Sequence, residues 1–212
     1  MTDALDLPAR RSSATVRSLV LRAARELFDE RGYEQVGTRE IADRAGVTQA
    51  TVFRHFGTKA NLFVEAVYQP FYGFVTDYIS RWADQGHGGG TSADDTEVFV
   101  SGLHRVLLDN RKLLVALTGQ VNGGSPELPR HAAAFLREIL DRLEREVALE
   151  IQAQGNETMD ASYAIRFTFA LVYGMAMLEE ALFPPGRPRP DRASVADQMA
   201  GFILRGSVIR GR

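Results

Sequence analysis

Apolar side chains in this chain recur three and four residues apart, almost from end to end. From Ser13 the positions Val16, Leu19, Val20, Ala23, Ala24, Leu27 and Phe28 line one helix face, and Gly32 follows as a stop. A period of 3.6 gathers such residues onto one stripe, whereas a half-buried strand needs alternation, and no stretch alternates convincingly. The same spacing predicts further helices over residues 38–46, 48–55, 59–84, 93–110, 111–121, 128–154, 159–182 and 191–205. With no internal repeat either, the predicted fold is all-α. Thr38, Thr58 and Asp191 carry oxygens suited to cap three of these helices. Pro70 lies inside the fourth, where a missing donor and a ring clash are expected to kink or split it. Residues 1–12 read as a mobile arm and residues 85–92, rich in glycine, as a flexible loop.

Charge narrows the functional classes. The 212 residues carry 25 basic and 27 acidic side chains, a net charge of −2, which excludes a wholesale basic coat for nucleic acid. Residues 1–65 carry +1 and residues 66–212 carry −3, so any anionic partner must be met by a local patch. The absence of cysteine removes disulfides, thiolate metal sites and cysteine nucleophiles. The longest uncharged apolar run near the C-terminus, Phe167 to Leu178, falls short of the roughly 18 residues needed to span a bilayer, so neither a transmembrane helix nor a membrane partner is expected. Arg10 and Arg11 are followed by charged residues and not by an apolar signal core, and the protein is read as cytoplasmic.

The patch is found in a short constellation. Within the run from Thr38 to Phe56, Ala42 is the small residue where two helices can cross closely, and Gly46 marks the turn four residues on. Ile41, Ala45, Val47 and Val52 are placed beneath as a small core. That leaves Thr48, Gln49, Thr51, Arg54 and His55 facing outward. From Arg44 to Ala60 there are three basic residues and no acidic one. The Gln49 amide has the donor and acceptor that pair with adenine N6 and N7, and the threonine hydroxyls suit bases or phosphates. Arg54, His55 and Lys59 can neutralise phosphates, aided by the partial positive charge at the start of the fourth helix.

Residues 14–65 resemble the TetR family of bacterial transcriptional regulators. The likeness is carried by an alanine-rich first helix ending in Leu27-Phe28-Asp29-Glu30-Arg31-Gly32-Tyr33, by Thr38 to Ala45, by Gly46-Val47-Thr48, and by Thr51-Val52-Phe53-Arg54-His55-Phe56 followed by Lys59 and Leu62. Beyond residue 65 only length and helical content agree. The resemblance implies a flexible arm over residues 1–12, a helix-turn-helix DNA-binding domain over 13–60, and a helical ligand-binding and dimerisation domain over 61–212, joined by a long helix. It implies a homodimer on double-stranded, palindromic operator DNA, repressing transcription until a small-molecule effector binds. A ligand-independent DNA-binding protein and an activator are the alternatives. The expected DNA-binding residues are Thr38, Arg39, Thr48, Gln49, Ala50, Thr51, Phe53, Arg54, His55 and Lys59. Ala50 allows close approach without hydrogen bonding. Phe53 stands where the family commonly has tyrosine, so a phosphate contact is lost or reassigned, and the ring belongs either to the interface edge or to the core.

In the C-terminal part, Ala170, Gly174 and Ala176 lie among Phe167, Phe169, Tyr173, Met175 and Met177, a pattern suited to close helix packing across a two-fold axis. Candidate ligand contacts are Phe71, Phe74, Tyr78, Trp82, Phe99, Leu103, His104, Tyr163 and Phe167, an apolar and aromatic set with one histidine to orient a ligand. Enzyme readings fare poorly. His87-Gly88-Gly89-Gly90 and Gly123-Gly124-Ser125-Pro126-Glu127 approach esterase motifs, but both sit between helices, and the second lacks the glycine an elbow requires. The four histidines show no metal-ligand spacing, and no phosphate-binding glycine loop is present. No catalytic residue, metal or cofactor is expected.

Overall fold

A computed structural model describes residues 12–85, 93–123, 127–154, 160–184, 186, 188 and 190–207. Among these residues the regular elements are nine helices: α1 Ser13–Gln35, α2 Thr38–Ala45, α3 Gln49–Phe56, α4 Lys59–Gln85, α5 Ala93–Asp109, α6 Arg111–Gly123, α7 Glu127–Gln154, α8 Ala161–Leu182 and α9 Arg192–Ser207. Contacts divide the chain into two compact units, residues 1–66 and 67–212. Helix α4 begins in the first and continues into the second. The expected N-terminal arm, all but its last residue, and the expected glycine-rich loop, all but Gln85 at the end of α4, lie outside the described residues.

In the first unit, α1 starts where the Ser12 hydroxyl accepts from the Thr15 amide at 3.1 Å. Gly32 has φ 80° and ψ 166°, a conformation open to a residue without Cβ, so the predicted stop is a break within α1 and the chain makes one more turn. Its inner face carries Val20, Ala23, Ala24, Leu27 and Phe28 and packs on α2; Ile41 and Ala42 of α2 and Val52 and Phe56 of α3 are buried as well. Phe63 of α4 meets Phe28 edge-on at 4.9 Å and Tyr33 at 4.8 Å. Ion pairs bind α1 to α2 at the surface: Arg31 with Glu40, and Arg44 with Glu26 at 3.5 Å and Glu30 at 3.9 Å.

The second unit is built around Leu103 and Leu107 of α5, Ile139 and Leu143 of α7, and Val172 and Ala176 of α8, with α9 closing over Ala196, Met199 and Ala200. Pro70 does not split α4, which runs unbroken from Lys59 to Gln85; proline removes one ladder bond, and the buried apolar face on both sides of it keeps the helix together. Gly102 of α5 leaves room for the Phe74 ring of α4, because a Cβ there would lie 2.4 Å from Cε2 of Phe74. Arg166 of α8 pairs with Glu144 at 2.6 Å and Asp141 at 3.3 Å on α7.

Helix α8 corrects one expectation. By length and composition it is long and apolar enough to cross a membrane. Arg166 and Glu179 interrupt its uncharged run, but an 18-residue stretch of the helix holds no more than two charged residues. Its outer side carries an apolar row, Tyr163, Phe167, Ala170, Leu178 and Leu182, all exposed. Within that row a Cβ at Gly174 would meet nothing within 4 Å.

Candidate nucleic-acid interface

Helices α2 and α3 are joined by Gly46, Val47 and Thr48. Gly46 is left-handed, φ 66° and ψ 41°. Its N–H donates to the Asp43 carbonyl at 3.2 Å while that of Val47 donates to Ala42 at 3.0 Å, the paired bonds that satisfy the orphan carbonyls of a helix end. The turn therefore fixes the angle at which α3 leaves α2. Thr48 then caps α3: its hydroxyl accepts from the Thr51 amide at 3.2 Å and is hydrogen-bonded to the Thr51 hydroxyl at 2.9 Å.

With Val52 and Phe56 buried, the rest of α3 faces outward. Gln49, Ala50, Phe53 and Arg54 are exposed, and Thr51 and His55 are half-buried. Phe53 is 45% exposed, which removes it from the core. Thr48 and Arg39 are exposed as well, while Thr38 and Lys59 are half-buried. All ten expected DNA-binding residues thus have solvent access. Thr38, however, is not a helix cap. Gly37 occupies the cap position of α2 without a side-chain bond, and the Thr38 hydroxyl accepts from Gln49 Nε2 at 2.8 Å. Lys59 is drawn inward too, with Nζ 4.3 Å from the centre of the Tyr33 ring. Burial lowers its pKa and Glu34 opposes the shift.

Sequence reasoning missed Arg17. One guanidinium nitrogen donates to the His55 carbonyl at 3.2 Å, in the last turn of α3, the other pairs with Glu65 of α4, and the cation lies 4.7 Å from the centre of the Phe56 ring. One arginine of α1 therefore ties the end of α3 to α4. Nothing in the spacing of Arg17 signals this, since the contacts cross 38 and 48 residues.

The expected ligand-binding residues do not gather at one place. Phe74, Tyr78, Trp82 and Phe99 form one aromatic cluster, with Tyr78 and Phe99 centred 4.8 Å apart, Phe74 and Phe99 5.6 Å, and Tyr78 and Trp82 5.6 Å. Phe71 and Leu103 are buried. Beside the cluster, Tyr78, Arg81, Trp82, Asp95 and Val98 line a cavity of about 60 Å³; burial, with Asp95 adding, pushes the Tyr78 phenol up to about 12. His104 is 4% exposed and lines a smaller recess with Glu179 and Arg192. Tyr163 and Phe167 do not join them. They stand 60% and 59% exposed on α8, because their stripe turns away from α5 and α7.

Residues 20–66 match the family model of bacterial regulatory proteins, tetR family. An HTH-type transcriptional regulator of Staphylococcus aureus (strain bovine RF122 / ET3-1) is 27% identical over 135 residues, which is 62% of this chain and 67% of that protein. The fold is shared with a Mesorhizobium loti protein assigned to the TetR family, at TM-score 0.67 and 22% identity, covering 94% of this chain and 100% of the other. It is also shared with the transcriptional regulator FadR from Bacillus subtilis, solved with stearoyl-CoA, at TM-score 0.60 and 18% identity over 89% and 98%. A helix-turn-helix with an outward-facing polar α3 and a matching family model lead to one conclusion: residues 20–66 are a DNA-binding domain of the TetR family, and the chain is a DNA-binding transcriptional regulator.

Proposed function

We propose that the protein is a homodimeric repressor that binds a palindromic operator and leaves it when a small-molecule effector binds. The observation that carries the DNA half is the outer face of α3, where Gln49 and Arg54 stand exposed on a helix whose start is capped by Thr48. In this reading Gln49 reads a base edge, Ala50 lets the helix approach, and Thr48 and Thr51 contact backbone or bases. Arg39, Arg54, His55 and Lys59 meet phosphates, with Thr38 at the rim and Phe53 packing against the sugar edge. The apolar row on α8 supports the dimer, since a second copy related by a two-fold axis would cover it with the same row.

The effector half is supported by the aromatic cluster of the second unit and by the family. Because FadR from Bacillus subtilis was solved with stearoyl-CoA, long-chain acyl-CoA is the first effector class to try. An effector must favour the DNA-incompetent arrangement by its difference in affinity for the two states, and α4, shared by both units, is the covalent path for that change. The alternative of a ligand-independent regulator is favoured by one observation, that Phe74, Tyr78 and Phe99 spend their ring faces on one another.

Selection of binding sites from random duplex DNA, at stated salt, tests the reading. A palindromic winner is expected, and stearoyl-CoA should then weaken binding to it. A winner without two-fold symmetry would refute the dimeric operator complex. Operator affinity unchanged by acyl-CoA thioesters of several chain lengths would remove that effector class.

A further inference from the structure

Resting on the operator-binding reading, we propose that Thr38 is a positioning residue that sets Gln49 to read adenine and reject guanine. A glutamine amide offers two N–H donors and one acceptor oxygen. On an exposed helix start it would rotate freely, and fixing it on DNA would cost rotamer entropy. Here the amide is already tied: Nε2 donates to Thr38 Oγ1 at 2.8 Å, from α3 back to the first residue of α2.

That bond changes what Gln49 can recognise. One N–H is committed to Thr38, which leaves one donor and the Oε1 acceptor. Adenine presents N7 as acceptor and N6–H as donor in the major groove, so the remaining pair matches it. Guanine presents two acceptors, N7 and O6, and an amide with a single free donor cannot satisfy both while its Oε1 faces O6. The neighbouring hydroxyls are not the partner of this amide: Thr48 and Thr51 are hydrogen-bonded to each other at 2.9 Å, and Thr48 also accepts from the Thr51 amide. Thr38 in turn keeps its own hydroxyl proton for a phosphate oxygen, which would draw its oxygen further toward the Gln49 donor.

Two measurements on the full-length protein test this. In the free protein, the side-chain amide proton resonances of Gln49 should differ from those of a solvated glutamine and move toward them in Thr38→Val, while Thr38→Ser keeps them. In site selection, Thr38→Val should lower the adenine-over-guanine preference at one operator position by about 3- to 10-fold, the scale of one hydrogen bond, and leave other positions unchanged. Gln49→Ala should lose preference at that same position, and adding Thr38→Val to it should change nothing further there. The proposal is overturned if Thr38→Val weakens all sequences evenly with the preference intact, or if the Gln49 resonances do not respond. A wild-type protein that enriches no site would instead refute the operator reading, and the resonances alone would then decide whether Thr38 holds the amide.

Discussion

Replacing Arg17 with methionine should loosen the recognition helix without unfolding the domain. Methionine keeps most of the aliphatic stem and removes three interactions. The bond to the His55 carbonyl at 3.2 Å is worth about 1 kcal/mol net. The cation over Phe56 at 4.7 Å adds about 0.5 to 1 kcal/mol. Arg17 is 43% exposed at its side chain, so the pair with Glu65 is discounted for solvent screening to about 0.5 kcal/mol. The sum, about 2 kcal/mol, corresponds to roughly 30-fold in a local opening equilibrium. Amide hydrogen exchange on the full chain reads it directly, because protection reports local opening. The amides of Val52, Phe53 and Phe56 should exchange about 30-fold faster in Arg17→Met, whereas Arg22→Met, at an exposed position on the same helix, should leave them unchanged. Protection in α3 within twofold of wild type would refute the claim that Arg17 braces the helix.

Three other perturbations separate the remaining structural claims. Gly46→Ala forces a Cβ into φ 66° and should cost about 1 to 2 kcal/mol, measured as a lower urea midpoint with the slope unchanged. His104 is buried, and burial holds its pKa below the usual 6.5, with Glu179 opposing and Arg192 adding to the shift. The unfolded chain then binds the proton more readily, so stability present above about pH 6.5 is lost as pH falls toward the folded value; His104→Gln should flatten urea midpoints between pH 7.5 and 5.5, and an unchanged slope would exclude His104 as the source. Phe167→Glu places a charge in the exposed row of α8 and should give monomers in sedimentation velocity with helix content intact; a dimer that survives would move the interface elsewhere.

Helix positions were readable in the sequence because their signals are local. Gly46, Gly57 and Asp191 mark ends that fall within a residue or two of the predicted ones, since a left-handed glycine or a capping carboxylate acts on its own turn. Thr38 departs from its expected capping role for the same reason: a cap is legible from adjacent residues, but a hydroxyl eleven residues from its donor partner Gln49 is not. Arg17 was invisible because its three contacts exist only once α1, α3 and α4 are assembled. Periodicity also predicts that a helix has an apolar stripe without saying which neighbour covers it. Hence Tyr163 and Phe167 share the helical spacing of Phe74 and Phe99 in the sequence, yet α8 leaves them exposed.

The contact between Gly102 and Phe74 bears on how the second unit could be switched. With a Cβ at residue 102 only 2.4 Å from the Phe74 ring, a single added methyl must displace that ring from α5 or push the two helices apart. In the effector-release reading, this is the kind of rearrangement a guest molecule imposes when it wedges between α4 and α5. Gly102→Ala would then act as a built-in inducer, giving a repressor that folds and dimerises but stands released from its operator with no small molecule present.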